Sequence, residues 1–437
     1  KYRKKLKQLL ENIRQDLEKE IKKRKLPIEI LLVGSIAKDT YLMNNMDIDF
    51  FLCFPTDFSK EKISENSLSI GRSILKNTEE SYAEHPYIRG YYKDFYVEIV
   101  PCYKIESADQ KLTAVDRTPL HTKYVKEKLK EKQKKEVRLF KQFLKGINCY
   151  GAEAQIQGFS GYLCEILVIY YGTFEKLLKN AEKWEKGTQL YLEKKESEIP
   201  DFDTPLVFID PVDPERNVAS ALIYEKFKLF KRAAKEYLKK PSDKFFFPDP
   251  IEPWPIEKIK KEIKKQDAKY IAVKFNEPDI IDENLYPQIR KAENSIVDAC
   301  NREEFMIYDS EFYIDSDSND IYIILKTDKE ELSETKIHKG PPLKMKKNVK
   351  EFKEKWENHK RLVQLKKENN RINAEIIRKY TNIKNFLEDN ALDLSLGKHL
   401  DKVVKKDYKV LDETNLLKDE LRTFWTEYLD KKYSWQR

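Results

Sequence analysis

Two acidic residues, Asp47 and Asp49, lie two positions apart in an apolar stretch of the chain. On a strand, both carboxylates would point to one face while Ile48 and Phe50 point to the core. Carboxylates held side by side in apolar surroundings repel each other, and a divalent cation offsets that repulsion. Mg²⁺ prefers oxygen ligands and is usually held by one or two carboxylates plus substrate phosphates. The spacing therefore predicts a Mg²⁺ site.

A third acidic residue, Glu98, interrupts the otherwise apolar residues 95–100. Burying a carboxylate is costly unless it is paired or binds metal, so we expect Glu98 beside the Asp pair on an adjacent strand. Three carboxylates can hold two Mg²⁺ ions, one acting on an attacking hydroxyl and one on a triphosphate and its leaving pyrophosphate. The alternatives are a structural acidic pair at a strand edge and a salt bridge from Glu98 to a lysine. The joint occurrence of the three acids favours the metal site.

A glycine turn, Gly34-Ser35, ends the predicted strand at residues 28–33 and begins a short helix at 36–41. Glycine lets the backbone approach a phosphate closely, and the free N–H groups at a helix start favour anions. The chain lacks the G-x-x-x-x-G-K-[ST] pattern of another common phosphate-binding loop. The turn therefore predicts a nucleotide site of the kind found in polymerases.

The elements that must position these residues follow from hydrophobic periodicity. Helices and strands alternate along the first part of the chain, and Pro101 ends the last of these strands. This pattern indicates one mixed-sheet domain up to about residue 135. They are a helix at 2–23, strands at 28–33 and 46–54, a helix at 59–76, and a hairpin of strands 87–92 and 95–100.

The later part of the chain is predicted to be helical first and mixed afterwards. Residues 123–192 read as helical, with 123–145 as one lysine-rich helix, and a proline-rich boundary lies at 241–255. The remaining predictions are a loop at 200–217, a helix at 218–239, helices at 256–266 and 285–303, strands at 270–275, 311–314 and 321–326, a break at 339–342, and a mostly helical remainder.

The composition limits the class of protein. The 437 residues are 40% apolar and 37% charged, which is typical of a polar globular protein with several domains. The net charge of +8 is compatible with a phosphate-bearing partner without requiring one. No apolar run reaches the length of a membrane span and no signal core is present, so we expect no membrane partner and a cytoplasmic location. The five cysteines stand singly, which predicts neither a zinc site nor a redox motif.

The glycine turn followed by two acids on the next strand resembles the DNA polymerase β-type nucleotidyltransferase superfamily. Longer motifs resemble the archaeal, class I CCA-adding enzymes within it, with a fainter match at 395–398. The matching stretches are VGSIAKDT at 33–40, YAEHPY at 82–87, VPCYK at 100–104, AVDRTPLH at 114–121, YGAE at 150–153, GFSGYLCE at 158–165, DPVD at 210–213, RNVA at 216–219 and PDI at 278–280.

The resemblance implies an α+β, multi-domain fold. Residues 1–135 would be the nucleotidyltransferase catalytic (head or palm) domain with its mixed sheet. Residues 136–245 would be a helical central (neck) domain that binds nucleotide. Residues 246–437 would be a C-terminal tRNA-binding body and tail of α/β and helical structure.

The resemblance also assigns roles to individual residues. Glu98 stands where the family usually has Asp, and Lys38 stands where it usually has Arg, so a fork-like phosphate contact becomes a point charge. Without the resemblance, Lys141 reads as a solvated charge, His121 as a turn residue and Tyr150 as core. The implied assignments are metal ligation by Asp47, Asp49 and Glu98, triphosphate contact by Ser35 and Lys38, a triphosphate and sugar site lined by Thr118, His121, Lys141 and Tyr150, and base reading by Arg216.

The implied reaction is the addition of C, C and A to the 3′ end of tRNA from CTP and ATP, with two Mg²⁺ ions and release of pyrophosphate. We expect tRNA contacts in the C-terminal region, with Lys274, Arg290 and the lysines near Lys344 as candidates. The oligomeric state stays open, with a homodimer among the options. The alternatives are a poly(A) polymerase-like enzyme and a degenerate relative that only binds RNA.

Overall fold

The computed structural model of the chain describes residues 2–43, 46–82, 84–193 and 201–437. Ala83 of the motif at 82–87 and Pro200, where the predicted loop begins, lie outside the described residues. The chain divides into two compact units, Lys1–Asp249 with Lys432–Arg437, and Pro250–Lys431. Every helix within the described ranges is too short or too polar to cross a membrane.

The first unit contains a five-stranded sheet followed by a helical region. Its elements are α1 Tyr2–Lys23, β1 Glu29–Val33, α2 Gly34–Ala37, β2 Ile48–Phe54, α3 Lys60–Ile74, β3 Lys76–Tyr82, β4 Pro86–Tyr92, β5 Phe95–Tyr103, α4 Arg117–Lys128, α5 Glu131–Gly146, α6 Gly161–Tyr171, α7 Phe174–Ala181, β6 Thr188–Tyr191, β7 Leu206–Ile209 and α8 Tyr224–Lys239.

The sheet order is β1-β2-β5-β4-β3, and only the central β2–β5 pair is parallel. Alternation along β2 places Ile48 and Phe50 in a core with α1 and α3, as expected, and Phe51 and Cys53 in a smaller cluster. Asp49 therefore lies on the side of β2 away from α1 and α3. A separate aromatic core holds α5 to α8 together around residues such as Phe143.

The second unit contains two further sheets, β14-β8-β10-β9 and β11-β13-β12. Its elements are α9 Ile256–Lys264, β8 Lys269–Asn276, α10 Asp282–Arg302, β9 Ile307–Asp315, β10 Asp320–Thr327, β11 Thr335–Pro342, α11 Lys346–Glu357, β12 Leu362–Glu368, β13 Arg371–Ile377, α12 Ile383–Asn390, α13 Leu400–Val404, β14 Lys409–Asp412, α14 Glu413–Leu416 and α15 Arg422–Asp430.

The α+β, multi-domain fold class is confirmed, but several boundaries were wrong. β2 begins at Ile48, so Asp47 precedes the strand. β5 continues through Pro101, which is paired with Leu52 of β2 but lies beyond the end of pairing with β4 at Ile99, so it has a strand neighbour on one side only, where proline is tolerated. The single helix predicted at 123–145 is two helices, since Leu129 and Lys130 are extended and the Gln133 side chain accepts a hydrogen bond from the Lys130 N–H.

The largest errors concern strands that were not predicted. β3 has almost no buried residue, and strands β6 and β7 lie in regions predicted as helix and loop. The predicted break at 339–342 lies inside β11, an edge strand, where proline is tolerated. The remainder after residue 342, predicted as mostly helical, also contains the strands β12, β13 and β14.

Candidate active site

Asp49 and Glu98 are directly paired residues on the parallel strands β2 and β5. Asp49 is also paired with Val33, the last residue of β1, so its side chain reaches the glycine turn. Gly34 has a φ of +71°, and a Cβ atom at Gly34 would lie 2.0 Å from the Asp49 carboxylate Oδ2. Only glycine therefore lets the turn and the carboxylate approach so closely.

The site concentrates negative charge. Burial, together with the charges of Glu98 and Asp47, raises the pKa of Asp49 to about 8. Burial and the charge of Asp47 also raise the pKa of Glu98, with partial opposition from Arg89. Across the described ranges none of these three carboxylates forms an ion pair, and the charges of Lys38 and of Arg89, the cross-strand neighbour of Glu98, offset their repulsion only in part.

The residues present suit a divalent cation, although the set is not complete as it stands. In the part of the chain that the structure describes, no three His, Cys, Asp or Glu side chains are grouped so that they could hold an ion. Asp49 and Glu98 are brought together, while Asp47 is exposed just before β2 and acts on both through its charge. An oxygen-binding cation would relieve the repulsion between the paired carboxylates. The role of Asp47 as a third ligand stays a prediction.

A buried ionic network, which we call the Glu165 network, lies behind the glycine turn. Lys38 Nζ donates to Glu165 Oε2 at 2.6 Å, and Lys141 Nζ donates to Glu165 Oε1 at 3.2 Å. The Thr40 hydroxyl also donates to Glu165 Oε1, at 2.5 Å. Burial opposes ionisation of Glu165, but the two lysines outweigh it, so the pKa of this carboxyl is lowered. Lys141 is only 1% exposed, so the triphosphate contact expected of it stays a prediction.

A second network, the Asp210 network, is centred on a fully buried carboxylate. Asp210 accepts hydrogen bonds from His121 Nε2 at 2.8 Å, Arg216 at 2.9 Å and the Tyr162 hydroxyl at 3.0 Å. The His121 ring stacks on Tyr162 with 4.0 Å between centroids. Burial lowers the pKa of His121 despite the neighbouring Asp210, which favours a neutral imidazole. The structure therefore joins His121, predicted for the triphosphate, to Arg216, predicted for the base.

The remaining predicted site residues lie around these networks. Ser35 is half-buried in α2, and its carbonyl accepts from the Thr40 N–H at 2.9 Å. Thr118 lies in α4, three residues before His121. The Tyr150 hydroxyl would lie 3.3 Å from a Cβ at Gly161, at the start of α6. Burial raises the pKa of Tyr150, and the charges of Glu165 and Asp47 add to this effect.

Sequence reasoning assigned no role to Glu165, Tyr162 or Asp210. A signal existed for Glu165, which interrupts the apolar run of α6 in the same way that Glu98 interrupts β5. Asp210 directly follows the fully buried strand β7, so burial of its carboxylate was foreseeable. Their partners, however, come from residues as far as 127 positions away in the chain.

Three family models match consecutive parts of the chain. The model of the nucleotidyltransferase domain matches residues 12–121. The model of the second domain of tRNA nucleotidyltransferase matches residues 135–247, and that of the C-terminal domain of the CCA-adding enzyme matches residues 266–413. The sheet, the glycine turn and the paired carboxylates all lie within the first match. Together they define the class of protein: the chain is a nucleotidyltransferase.

Curated relatives show which family of nucleotidyltransferases the chain belongs to. CCA-adding enzymes of Methanosarcina mazei, Archaeoglobus fulgidus and Pyrococcus abyssi are 36%, 35% and 38% identical to the chain. The alignments cover 90%, 95% and 78% of this chain, and 87%, 94% and 76% of those proteins. The chain belongs to the CCA-adding enzyme family. This confirms the resemblance seen in the sequence and favours it over the poly(A) polymerase alternative.

Solved structures give weaker likenesses. The Cid1 poly(U) polymerase is 16% identical, with a TM-score of 0.42 over 56% of this chain and 92% of that chain. The CdnC protein of E. coli MS115-1 is 16% identical, with a TM-score of 0.40 over 55% and 87%. At these scores they add nothing to the family assignment, which depends on the sequence relatives. Nucleotidyltransferases of this superfamily typically depend on a metal ion.

Proposed function

We propose that the protein adds C, C and A in order to the 3′ end of tRNA, using CTP and ATP and releasing pyrophosphate. The observation that carries this proposal is the Asp49–Glu98 pair beside the Gly34 turn, whose two carboxyl groups both have raised pKa values. The curated relatives named as CCA-adding enzymes support the choice of product.

The chemistry needs charge neutralisation at the carboxylates. Asp47, Asp49 and Glu98 would hold two Mg²⁺ ions, which favour ionisation of the attacking 3′-hydroxyl and neutralise the phosphates. The protein's own contribution is to keep Asp49 and Glu98 in register on β2 and β5 and to bring the Gly34 turn against Asp49. A fixed arrangement of this kind lowers the reorganisation needed in the transition state.

The other predicted residues would hold the nucleotide. Ser35 lies in the glycine turn and Lys38 follows it, and helix starts such as that of α2 present N–H groups to phosphates. His121 and Arg216, both fixed by Asp210, would face the triphosphate and the base. Thr118, Lys141 and Tyr150 would complete the triphosphate and sugar site.

The tRNA would be held mainly by the second unit. Shape and backbone contacts dominate recognition of A-form RNA, so binding should weaken as salt rises. Of the candidates, Lys344 is exposed, and Lys274 is already paired with Asp320 at 2.6 Å. Lys274 is therefore a weaker candidate than Lys344, and Arg290 stays a candidate. We place the reaction in the cytoplasm, carried out by a single chain or a homodimer with the three domains 1–135, 136–245 and 246–437.

A nucleotide-supply assay tests the proposal. The protein is incubated with tRNA lacking its three terminal nucleotides and with CTP alone, ATP alone, or both. Addition of two C from CTP alone, followed by one A when ATP is present, is the expected result. Long A tracts would identify a poly(A) polymerase instead, and tRNA binding without any addition would identify a degenerate relative.

A further inference from the structure

The Glu165 network lies near the Gly34 turn and carries a net positive charge, as expected of residues that hold a phosphate-binding surface in place. Glu165 itself is fully buried and touches no solvent, so it cannot contact a nucleotide. Its two oxygens each hold one lysine ammonium group, at 2.6 Å for Lys38 and 3.2 Å for Lys141. Two positive charges on one carboxylate leave a net charge of +1 behind the Gly34 turn.

The network also joins parts of the chain that are far apart in sequence. Lys38 and Thr40 follow α2, beside the sheet, while Lys141 lies on α5 and Glu165 on α6. Lys141 is held further by the Thr40 carbonyl at 3.2 Å and the Thr40 hydroxyl at 3.3 Å. Each ammonium group therefore has one defined place, set by the same carboxylate.

This place is close to the candidate site. The charge of Lys38 acts on both Asp49 and His121, so it lies within electrostatic range of the carboxylates and of the Asp210 network. A Cβ at Gly161 would lie 3.6 Å from Lys141 Nζ and 3.3 Å from the Tyr150 hydroxyl. The absence of a side chain at Gly161 lets the backbone at the start of α6 lie close to those two groups.

We propose that Glu165 is a positioning residue, which holds Lys38 and Lys141 so that the triphosphate meets a fixed positive charge beside the Gly34 turn. The inference rests on the proposed function. Lysine is a flexible point charge, unlike the planar arginine fork that can be aligned by its own geometry. A carboxylate that binds two lysines holds their flexible side chains in one position. This matters because small displacements of phosphate-binding groups can reduce rates about 100-fold.

The test compares wild-type protein with Glu165→Gln, which keeps the shape of the side chain and removes its charge. Loss of the carboxylate leaves two neighbouring ammonium groups that repel each other. We expect kcat/KM for CTP and ATP to fall about 10- to 100-fold, with KM for tRNA unchanged. Inorganic tripolyphosphate, a probe with phosphates and no base, should inhibit the variant at least about fivefold more weakly than the wild type. Glu165→Asp, which keeps the charge, should recover part of the loss.

A matched control and a milder variant complete the design. Glu175→Gln removes a carboxylate that pairs with a single lysine, Lys179, on the exposed face of α7, and should leave all these constants unchanged. If Glu165→Gln does not fold, Thr40→Val removes one donor to Glu165 and should lower kcat/KM for the nucleotides about fivefold.

Two outcomes distinguish a failure of this inference from a failure of the proposed function. A folded Glu165→Gln or Thr40→Val variant with a lower Tm but wild-type nucleotide kinetics and tripolyphosphate inhibition would overturn the inference. Wild-type protein that adds no nucleotide to tRNA would overturn the proposed function itself.

Discussion

Two groups of carboxylates in the first unit differ in how their charge is balanced. Glu165 and Asp210 are fully buried, yet each is surrounded by donors and carries a lowered pKa. Asp49 and Glu98 lie side by side without an ion pair in the described ranges, and their pKa values are raised. The first group is complete within the protein, whereas the second is incomplete without an added positive charge.

The difference shows where a ligand belongs. A folded chain can satisfy buried charges with its own lysines and arginines, as it does at Glu165 and Asp210. Leaving two carboxylates unbalanced on the central strands costs stability, and such a cost is typical of functional sites. Replacing Asp49 should therefore reduce activity more than stability, whereas replacing Asp210 should reduce stability more than activity.

The largest effect on activity is expected for Asp49→Asn. Removing this carboxylate takes away a proposed metal ligand, so nucleotide addition should fall at least about 1000-fold. Stability should be unchanged or higher, because repulsion with Glu98 is relieved. Single-turnover addition assays, tRNA binding and thermal unfolding measure the three quantities. Asp94→Asn, at an exposed hairpin turn, is the control and should behave as wild type. Activity that survives Asp49→Asn would remove the basis of the metal site.

The second effect separates backbone strain from the clash at the glycine turn. Gly34→Ala introduces a Cβ 2.0 Å from the Asp49 carboxylate in a left-handed conformation, so addition should fall about 100-fold. Gly187→Ala has a similar φ of +82° but meets nothing within 4 Å. Both variants should lose about 1 kcal/mol or more in the free energy of unfolding from the left-handed strain. Equal activity of the two variants would contradict the proposed role of close approach.

The third effect concerns stability more than rate. Asp210→Asn weakens hydrogen bonds from His121, Arg216 and Tyr162 and should cost about 2 kcal/mol near pH 7. Although burial opposes it, the bonds from His121 and the other donors lower the pKa of Asp210 to about 2, from its usual 3.8. The carboxylate therefore stabilises the fold above about pH 4, and this contribution is lost as the pH falls toward 2. Denaturant unfolding at pH 7 and pH 3 should show the difference between variant and wild type shrinking.

The smallest effect is expected for Glu175→Gln. This carboxylate pairs with Lys179 in an exposed ion pair on α7, where solvent screens the interaction. We expect no measurable change in Tm or in nucleotide addition. A clear fall in either would show that exposed ion pairs contribute to stability or activity as much as the buried networks do. That result would contradict the comparison on which the other predictions depend.

Much of the fold could be predicted from local pattern. The helix Tyr2–Lys23 and the apolar strand β2 follow directly from hydrophobic periodicity, and α3, predicted at 59–76, is capped by Ser59. Strand β3 could not be predicted in this way, because its residues are nearly all polar and it exists through pairing with β4. The division of the chain into three domains stays a prediction, as do the roles assigned to the site residues.

The sequence by itself determined the residue types of the site, the family, and the succession of a glycine turn and an acid-bearing strand along the chain. Local pattern and motif suffice for these because they depend on neighbours in the chain. Only the tertiary structure decided which charges are neutralised: Lys38 and Lys141 both face Glu165, while Asp49 faces Glu98. Those partners lie tens to more than a hundred residues apart, and electrostatic balance depends on distance in space rather than on order in the chain.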